Sequence, residues 1–173
     1  MTTFEIKQHI EIDENCQGIN LTKFDINLDE QIDNDKVVDT FIRTRHFTYD
    51  SLLDCIKANP DGGYLGQAFN IENVKMFDFR KTDKMGVSKF LFDFINESDW
   101  GDDRNDFAKL LDEYFEIHNT LEDGDFYIIS KDWLDKDDEK FIEPWSWVYS
   151  YYFLIISVNN NSTVLTISEW TYE

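Results

Sequence analysis

The C-terminal part of the chain carries the clearest pattern of apolar side chains. Residues 145–158 are rich in β-branched and aromatic side chains, residues 163–172 alternate, and three asparagines stand between the two runs. Asparagine tolerates a positive φ better than most residues, so this arrangement predicts a β-hairpin. The first strand is apolar on both sides, which predicts that it lies in the interior of its sheet.

The register of the hairpin follows if its tip lies at Asn160 and Asn161. The predicted pairs are Val158 with Thr163, Ile156 with Leu165, Leu154 with Ile167, and Tyr152 with Glu169. Because side chains alternate along a strand, each face of the hairpin has its own composition. The aliphatic face, which we interpret as core, carries Tyr152, Leu154, Ile156, Val158, Leu165 and Ile167.

The opposite face of the hairpin is mainly aromatic. It carries Trp147, Tyr149, Tyr151, Phe153, Ile155, Val164, Trp170 and Tyr172. Two interpretations remain open at this point. The aromatic face is either a second covered core or a partly open recognition surface.

The remaining elements are strands and helices in mixed order. Alternating apolar residues predict strands over residues 4–12, where Phe4, Ile6, Ile10 and Ile12 would share one face, and over 23–28, 73–80, 87–96 and 126–130. Residues 36–46 fit a strand or a helix, and a short helix is expected from a cap at Thr48 or Asp50 to Ala58. The clearest helix covers residues 99–119, with an apolar stripe of Phe107, Leu110, Leu111, Tyr114, Phe115 and His118.

These elements predict a single α+β domain over residues 1–173. Hairpin-sized links dominate, which favours a mostly antiparallel sheet that ends in the C-terminal hairpin and is packed by two or three helices. A chain of 173 residues, 42% of them hydrophobic, is long enough for a proper core. It shows no signal peptide and no apolar run of membrane-spanning length. Cys16 and Cys55 lie far apart without a CxxC motif, so we expect a cytoplasmic protein with reduced thiols.

Net charge adds the most information about partners. The chain has 36 acidic and 16 basic residues, a net charge of −20. Nucleic acids and anionic membranes would repel such a protein, whereas a basic protein would be attracted to it. Solubility alone is the other explanation of the charge.

No motif for catalysis or for a cofactor is present, so we expect a non-enzymatic protein that needs no cofactor or metal. Asp13, Asn15, Gln17 and Gly18 fit the start of a calcium loop, but Phe24 occupies the position of its essential glutamate. The three histidines, which are His9, His46 and His118, share no metal-ligand spacing.

Two clusters of acidic residues are the candidate partner-binding sites. The first lies at the start of the predicted long helix and comprises Asp99, Asp102, Asp103 and Asp106. The second combines carboxylates with two tryptophans and comprises Asp132, Trp133, Asp135, Asp137, Asp138, Glu139 and Trp145. Aromatic anchors with acids around them are the composition we would expect of a surface that binds a basic protein.

In size and acidity the chain resembles the small cytoplasmic proteins that neutralise toxins, such as bacterial immunity proteins. This resemblance covers general character and transfers no residue. The leading hypothesis is therefore an inhibitor or immunity protein that occludes the site of a basic toxin or nuclease. One alternative is a DNA mimic that occupies a nucleic-acid-binding protein. The other is an enzyme or small-ligand-binding protein with a pocket beside the aromatic face.

Overall fold

Six strands of the chain form one antiparallel sheet in a computed structural model that describes residues 2–47, 73–97, 103–135, 137–140 and 149–172. Across the sheet their order is β1-β2-β6-β5-β4-β3. The strands are β1 Thr3–Glu14, β2 Gln17–Asn27, β3 Arg80–Thr82, β4 Gly124–Ser130, β5 Tyr151–Asn159 and β6 Val164–Tyr172. The predicted α+β class, with a C-terminal hairpin in an antiparallel sheet, is confirmed.

Within the described residues, three α-helices pack on the two faces of this sheet. They are α1 Asn34–Phe41, α2 Lys84–Glu97 and α3 Arg104–Thr120. The ambiguous stretch 36–46 thus begins as a helix, because the Asp33 carboxylate caps α1 by accepting the Lys36 backbone N–H at 2.8 Å. The helix expected from residue 48 or 50 to residue 58 lies outside the described residues.

Strand β5 lies between β6 and β4 and is buried on both faces, as its sequence predicts. One face meets α1 in the first core, which contains Tyr152, Leu154, Ile156, Val158, Leu165 and Ile167. The other meets α2 and α3 in the second core, which contains Tyr151, Phe153, Ile155 and Trp170. The sheet therefore separates two hydrophobic cores, and β5 contributes to both.

The strand pairing of the C-terminal hairpin is shifted by two residues from the predicted register. Val158 lies opposite Leu165, not Thr163, and none of the four predicted pairs forms. The cause is Asn159, whose side-chain oxygen accepts the backbone N–H of Thr163 at 2.8 Å. This cap lets the strand continue through Asn159, so the loop moves to residues 160–163. A shift of two residues preserves the faces, because side chains alternate with a period of two.

The aromatic face of the hairpin is covered by α2 and α3. Phe153 and Trp170 are fully buried and stack with their ring centroids 5.2 Å apart, and Phe107 of α3 lies 5.9 Å from Trp170. Of the two interpretations, a second core is therefore correct for the described part of this face. Tyr149 is an exception, because it precedes β5 and packs into the first core, and Trp147 lies outside the described residues.

Strand β1 contains a β-bulge that divides its apolar residues between the two cores. Its pairing with β2 shifts between Ile6 and Gln8. Phe4 packs in the first core, whereas Ile10 and Ile12 pack in the second, so the prediction of one shared face is wrong. The extra residue of a bulge reverses the alternation beyond it, and a purely alternating pattern cannot show where that happens.

Residues 87–96 form part of α2, so the strand predicted there is wrong. Alternating phenylalanines suggested a strand, but Phe92 is 52% exposed and the buried residues follow helical spacing. The buried set is Val87, Leu91 and Ile95. Asp83 starts the helix, because its carboxylate accepts the Gly86 backbone N–H at 2.8 Å.

The strand predicted over residues 73–80 is also wrong, apart from the start of β3 at Arg80. A helical turn covers Met76–Asp78, and the Asp78 carboxylate accepts the Lys75 backbone N–H at 2.7 Å. This local hydrogen bond satisfies a backbone group that a strand would have paired with a neighbour.

The double burial of β5 predicts a large effect of truncating one of its core residues. Leu154→Ala should lower the free energy of unfolding by about 2–5 kcal/mol, because Leu154 is fully buried and a cavity would remain. Urea denaturation measures this change. Ile6→Ala is the matched control, because Ile6 is 53% exposed, and equal losses in the two variants would contradict the account.

Candidate protein-binding surface

The first predicted acidic cluster holds the fold together where it is described. Tyr172 donates a hydrogen bond to the Asp103 carboxylate, and Gln17 donates one to the Asp103 backbone oxygen at 3.1 Å. Asn15 donates to the Asp106 carboxylate at 2.5 Å, and this bond is the main reason that the pKa of Asp106 is lowered. These contacts fix the start of α3 to the β1–β2 turn and to the end of β6. Asp99 and Asp102 lie outside the described residues.

The second predicted cluster is divided between exposed acids and internal contacts. Asp138 accepts hydrogen bonds from the backbone N–H and the ammonium of Lys140, at 2.9 and 3.0 Å, which lower the pKa of Asp138. Lys140 also lies 3.4 Å from Asp78, so this group is a largely buried internal network. The exposed acids, without an ion pair in the described parts of the chain, are Asp132, Asp135, Asp137 and Glu139.

Trp133 is half-buried at the edge of the second core. Its ring meets Phe90 of α2 edge-on, with centroids 5.9 Å apart, and the Arg80 guanidinium carbon lies 3.6 Å from its centroid. Trp133 is therefore partly engaged by contacts within the chain, and its role in binding a partner stays a prediction. Trp145 lies outside the described residues.

The described members of the two predicted clusters lie toward the same end of the sheet. Asp103 contacts Gln17 and Tyr172, which pair with each other at that end, and Asp132 lies two residues after β4 ends at Ser130. The clusters are attached to different strands, however. They flank the start of β5 and do not form one patch of side chains in contact.

Sequence analysis missed the outer surface of the two helices that cover the second core. Phe92 of α2 and Phe115 of α3 stack with their centroids 5.2 Å apart and their planes 19° from parallel. Phe92 is 52% exposed, and Met85, two helical turns before it, is 79% exposed. We call this surface the helical face and define it by Met85, Phe92, Phe115, Asp112, Glu113 and Glu116. The capping aspartate and the helical spacing of α2 are the signals that would have revealed it.

Three exposed carboxylates of α3 lie close to Phe115 along the chain, namely Asp112, Glu113 and Glu116. None of them has an ion pair within the described part of the chain. Like charges four residues apart destabilise a helix, and acids near its C-terminal end oppose the helix dipole. His118 offers little compensation, because desolvation lowers its pKa and favours the neutral ring. These acids therefore lower the stability of α3, and within the described residues no ion pair offsets this cost.

A buried carboxyl group lies on the opposite side of the sheet, in the first core. Glu169 of β6 is 3% exposed, accepts a hydrogen bond from the Tyr152 hydroxyl at 2.6 Å, and lies 3.4 Å from the Asn20 amide nitrogen. Burial raises the pKa of Glu169 to about 7, although the hydrogen bonds from Tyr152 and Asn20 act in the other direction. The signal in the sequence was a glutamate that continues the aliphatic row of β6.

Comparison of the chain with protein families, with curated proteins and with solved structures found no match. In the parts that the structure describes, no group of three or more metal-ligating side chains converges. Among the described helices, none has the length and apolar character of a membrane span. The functional proposal therefore rests on the surface chemistry of the described residues.

Glu169 predicts a specific dependence of stability on pH. Its folded-state pKa of about 7 exceeds its ordinary value of 4.5, so the folded protein keeps a proton that the unfolded chain loses between these values. Stability should fall as pH rises through this window, by about 3 kcal/mol for this group, and then level off.

The variant Glu169→Gln isolates this contribution, because all other carboxyl groups titrate in both proteins. From pH 4.5 to 7.5 the free energy of unfolding of the variant should rise relative to that of the wild type. Urea denaturation at intervals of pH measures the difference. A difference that stays constant across this range would show that Glu169 titrates normally.

Proposed function

We propose that this protein is a non-enzymatic inhibitor or immunity-type protein that binds a basic protein partner, such as a toxin or nuclease, through the helical face. One observation carries the proposal. The exposed ring of Phe92 stacks on the half-buried ring of Phe115, and three carboxylates close to Phe115 along α3 have no cation partner in the described part of the chain. An apolar anchor bordered by charges of one sign is suited to a partner of the opposite sign.

The distribution of charge supports a basic partner. Lys81 bridges Asp35 and Asp125, Lys109 bridges Glu14 and Asp106, and Lys84 caps the carbonyl end of α3. These three lysines are engaged in contacts within the chain, so they do not neutralise the exposed acids of the helical face. Because the net charge is −20, the field outside the protein attracts basic proteins and raises their association rate.

The exposed ring of Phe92, held on Phe115, supports a defined docking site in addition to this general attraction. Large apolar side chains are more useful as anchors when they are held rigidly, because little conformational entropy is lost on binding. Phe92 is held by its stack on Phe115, and Phe115 packs against the second core. The exposed acids of residues 132–139 would contribute to steering from the rim.

The experiment begins with capture of the partner from the native host on immobilised wild-type protein, with Phe92→Ala protein as the comparison. The proposal expects a basic protein that the wild type retains and the variant loses. Competition with duplex DNA separates the alternatives, because only a DNA mimic shares its site with nucleic acid. A neutral or acidic partner would contradict the proposal.

Reversing one acid of the helical face should slow association with the captured partner. Glu116→Lys removes an attractive charge beside the anchor, and the loss should be largest at low salt because exposed charges are screened over about 8 Å at physiological ionic strength. Surface-binding kinetics across salt concentrations measure it. Glu30→Lys, which makes the same charge change in the link between β2 and α1, is the control. Equal slowing by both variants would mean that only net charge matters.

Truncating the anchor should act on dissociation. Phe92→Ala should weaken binding by about 2 kcal/mol or more, mainly through a faster off-rate, because steering charges are unchanged. Phe77→Ala is the matched control, since Phe77 is 81% exposed and lies outside the helical face. If the two variants bind equally well, Phe92 is not the anchor.

A further inference from the structure

We propose that the cleft between α2 and the helical turn Lys131–Trp133 is a subsite for an arginine side chain of the basic partner. The inference rests on the proposed function and assigns a chemical group to one part of the interface. It differs from the helical face in its residues, because it uses the other flank of α2. The lining of the cleft and the contacts of Arg80 support this assignment.

The cleft combines aromatic surface with negative charge. Its empty volume is about 590 Å³, part of it open to solvent, and its lining includes Phe90, Phe94, Trp133, Asp93, Asp132 and Arg80. Phe90 and Phe94 stack with centroids 6.1 Å apart and form one wall. A flat cation fits this chemistry, because it can lie on a ring while carboxylates approach its edge.

Arg80 shows that a guanidinium occupies this cleft within the chain itself. Its guanidinium carbon lies 3.6 Å from the centroid of the Trp133 ring. Within the described residues the Arg80 guanidinium makes no hydrogen bond or ion pair, although Asp93 and Asp132 line the same cleft. Stacking alone at an exposed site is a weak interaction, so the Arg80 side chain can leave at little cost.

A partner's arginine can make more favourable contacts in this position than Arg80 makes. It can stack on Trp133 and also meet Asp132, which is exposed and has no ion pair in the described parts of the chain. Asp93 is already paired with Lys89, so Asp132 is the available carboxylate. A guanidinium that both stacks and pairs is held more strongly than one that only stacks.

The position of the cleft on α2 allows the same partner to reach both sites. Asp93 lines the cleft and is the next residue after Phe92, the proposed anchor of the helical face. Successive residues of a helix point about a quarter-turn apart, so the cleft and the anchor are neighbouring flanks of one helix. One partner that covers α2 would contact both.

The test uses a small probe and needs no partner. N-acetyl-argininamide is titrated into the full chain, and the indole N–H signal of Trp133, assigned with a Trp133→Phe variant, is followed by NMR. N-acetyl-citrullinamide has nearly the same shape without the charge and serves as the matched ligand. We expect a saturable shift with the arginine derivative and none with the citrulline derivative.

Three variants define the subsite. Asp132→Asn should weaken binding of the probe, whereas Glu30→Gln, at an exposed acid outside the cleft lining, should leave it unchanged. Arg80→Ala should tighten binding about two- to fivefold, because it frees the ring and removes a like charge. Binding that weakens in Arg80→Ala, or that is equal for the two ligands, would overturn the inference.

The outcome is separable from that of the proposed function. If argininamide causes no saturable shift at Trp133 while partner binding still depends on Phe92, only the subsite is wrong. If the probe behaves as expected but no basic partner binds the helical face, the cleft is a guanidinium site and the proposed function is wrong.

Discussion

The burial of β5 on both faces is the constraint on which the rest of the structure depends. Tyr152 and Leu154 project into the core under α1, and Phe153 projects into the core under α2 and α3. Each core needs a helical layer, because a sheet face of this composition cannot stay in water. Covering the aromatic core brings α2 and α3 side by side and so creates an outer surface on which Phe92 and Phe115 meet.

The sequence was most informative where one periodicity ran without interruption. The faces of the hairpin and the apolar stripe of α3 could be predicted because no residue broke their alternation or helical spacing. The exact hairpin register could not, because it depends on the Asn159 cap and on a turn in which Ser162, not an asparagine, adopts a positive φ of 53°. The bulge of β1 and the helical state of α2 were missed because each contradicts its local alternation.

The candidate site was harder to predict than the fold, because the chain has 36 acidic residues and the sequence does not show which are free. Asp103 accepts a hydrogen bond from Tyr172, and Asp106 accepts one from Asn15. These partners are 69 and 91 residues away along the chain. Only tertiary structure reveals such contacts. The proposal depends on those acids that have no cationic partner within the described part of the chain.

Zero-length carbodiimide cross-linking of the captured complex tests the central claim most directly, because it joins carboxylates to lysines that lie in contact. Mapping by mass spectrometry should find lysines of the partner attached to α3 at Asp112, Glu113 or Glu116. Glu30 is exposed and equally reactive, so it reports non-specific attachment. Cross-links that favour Glu30, or that avoid all three positions of α3, would contradict binding through the helical face.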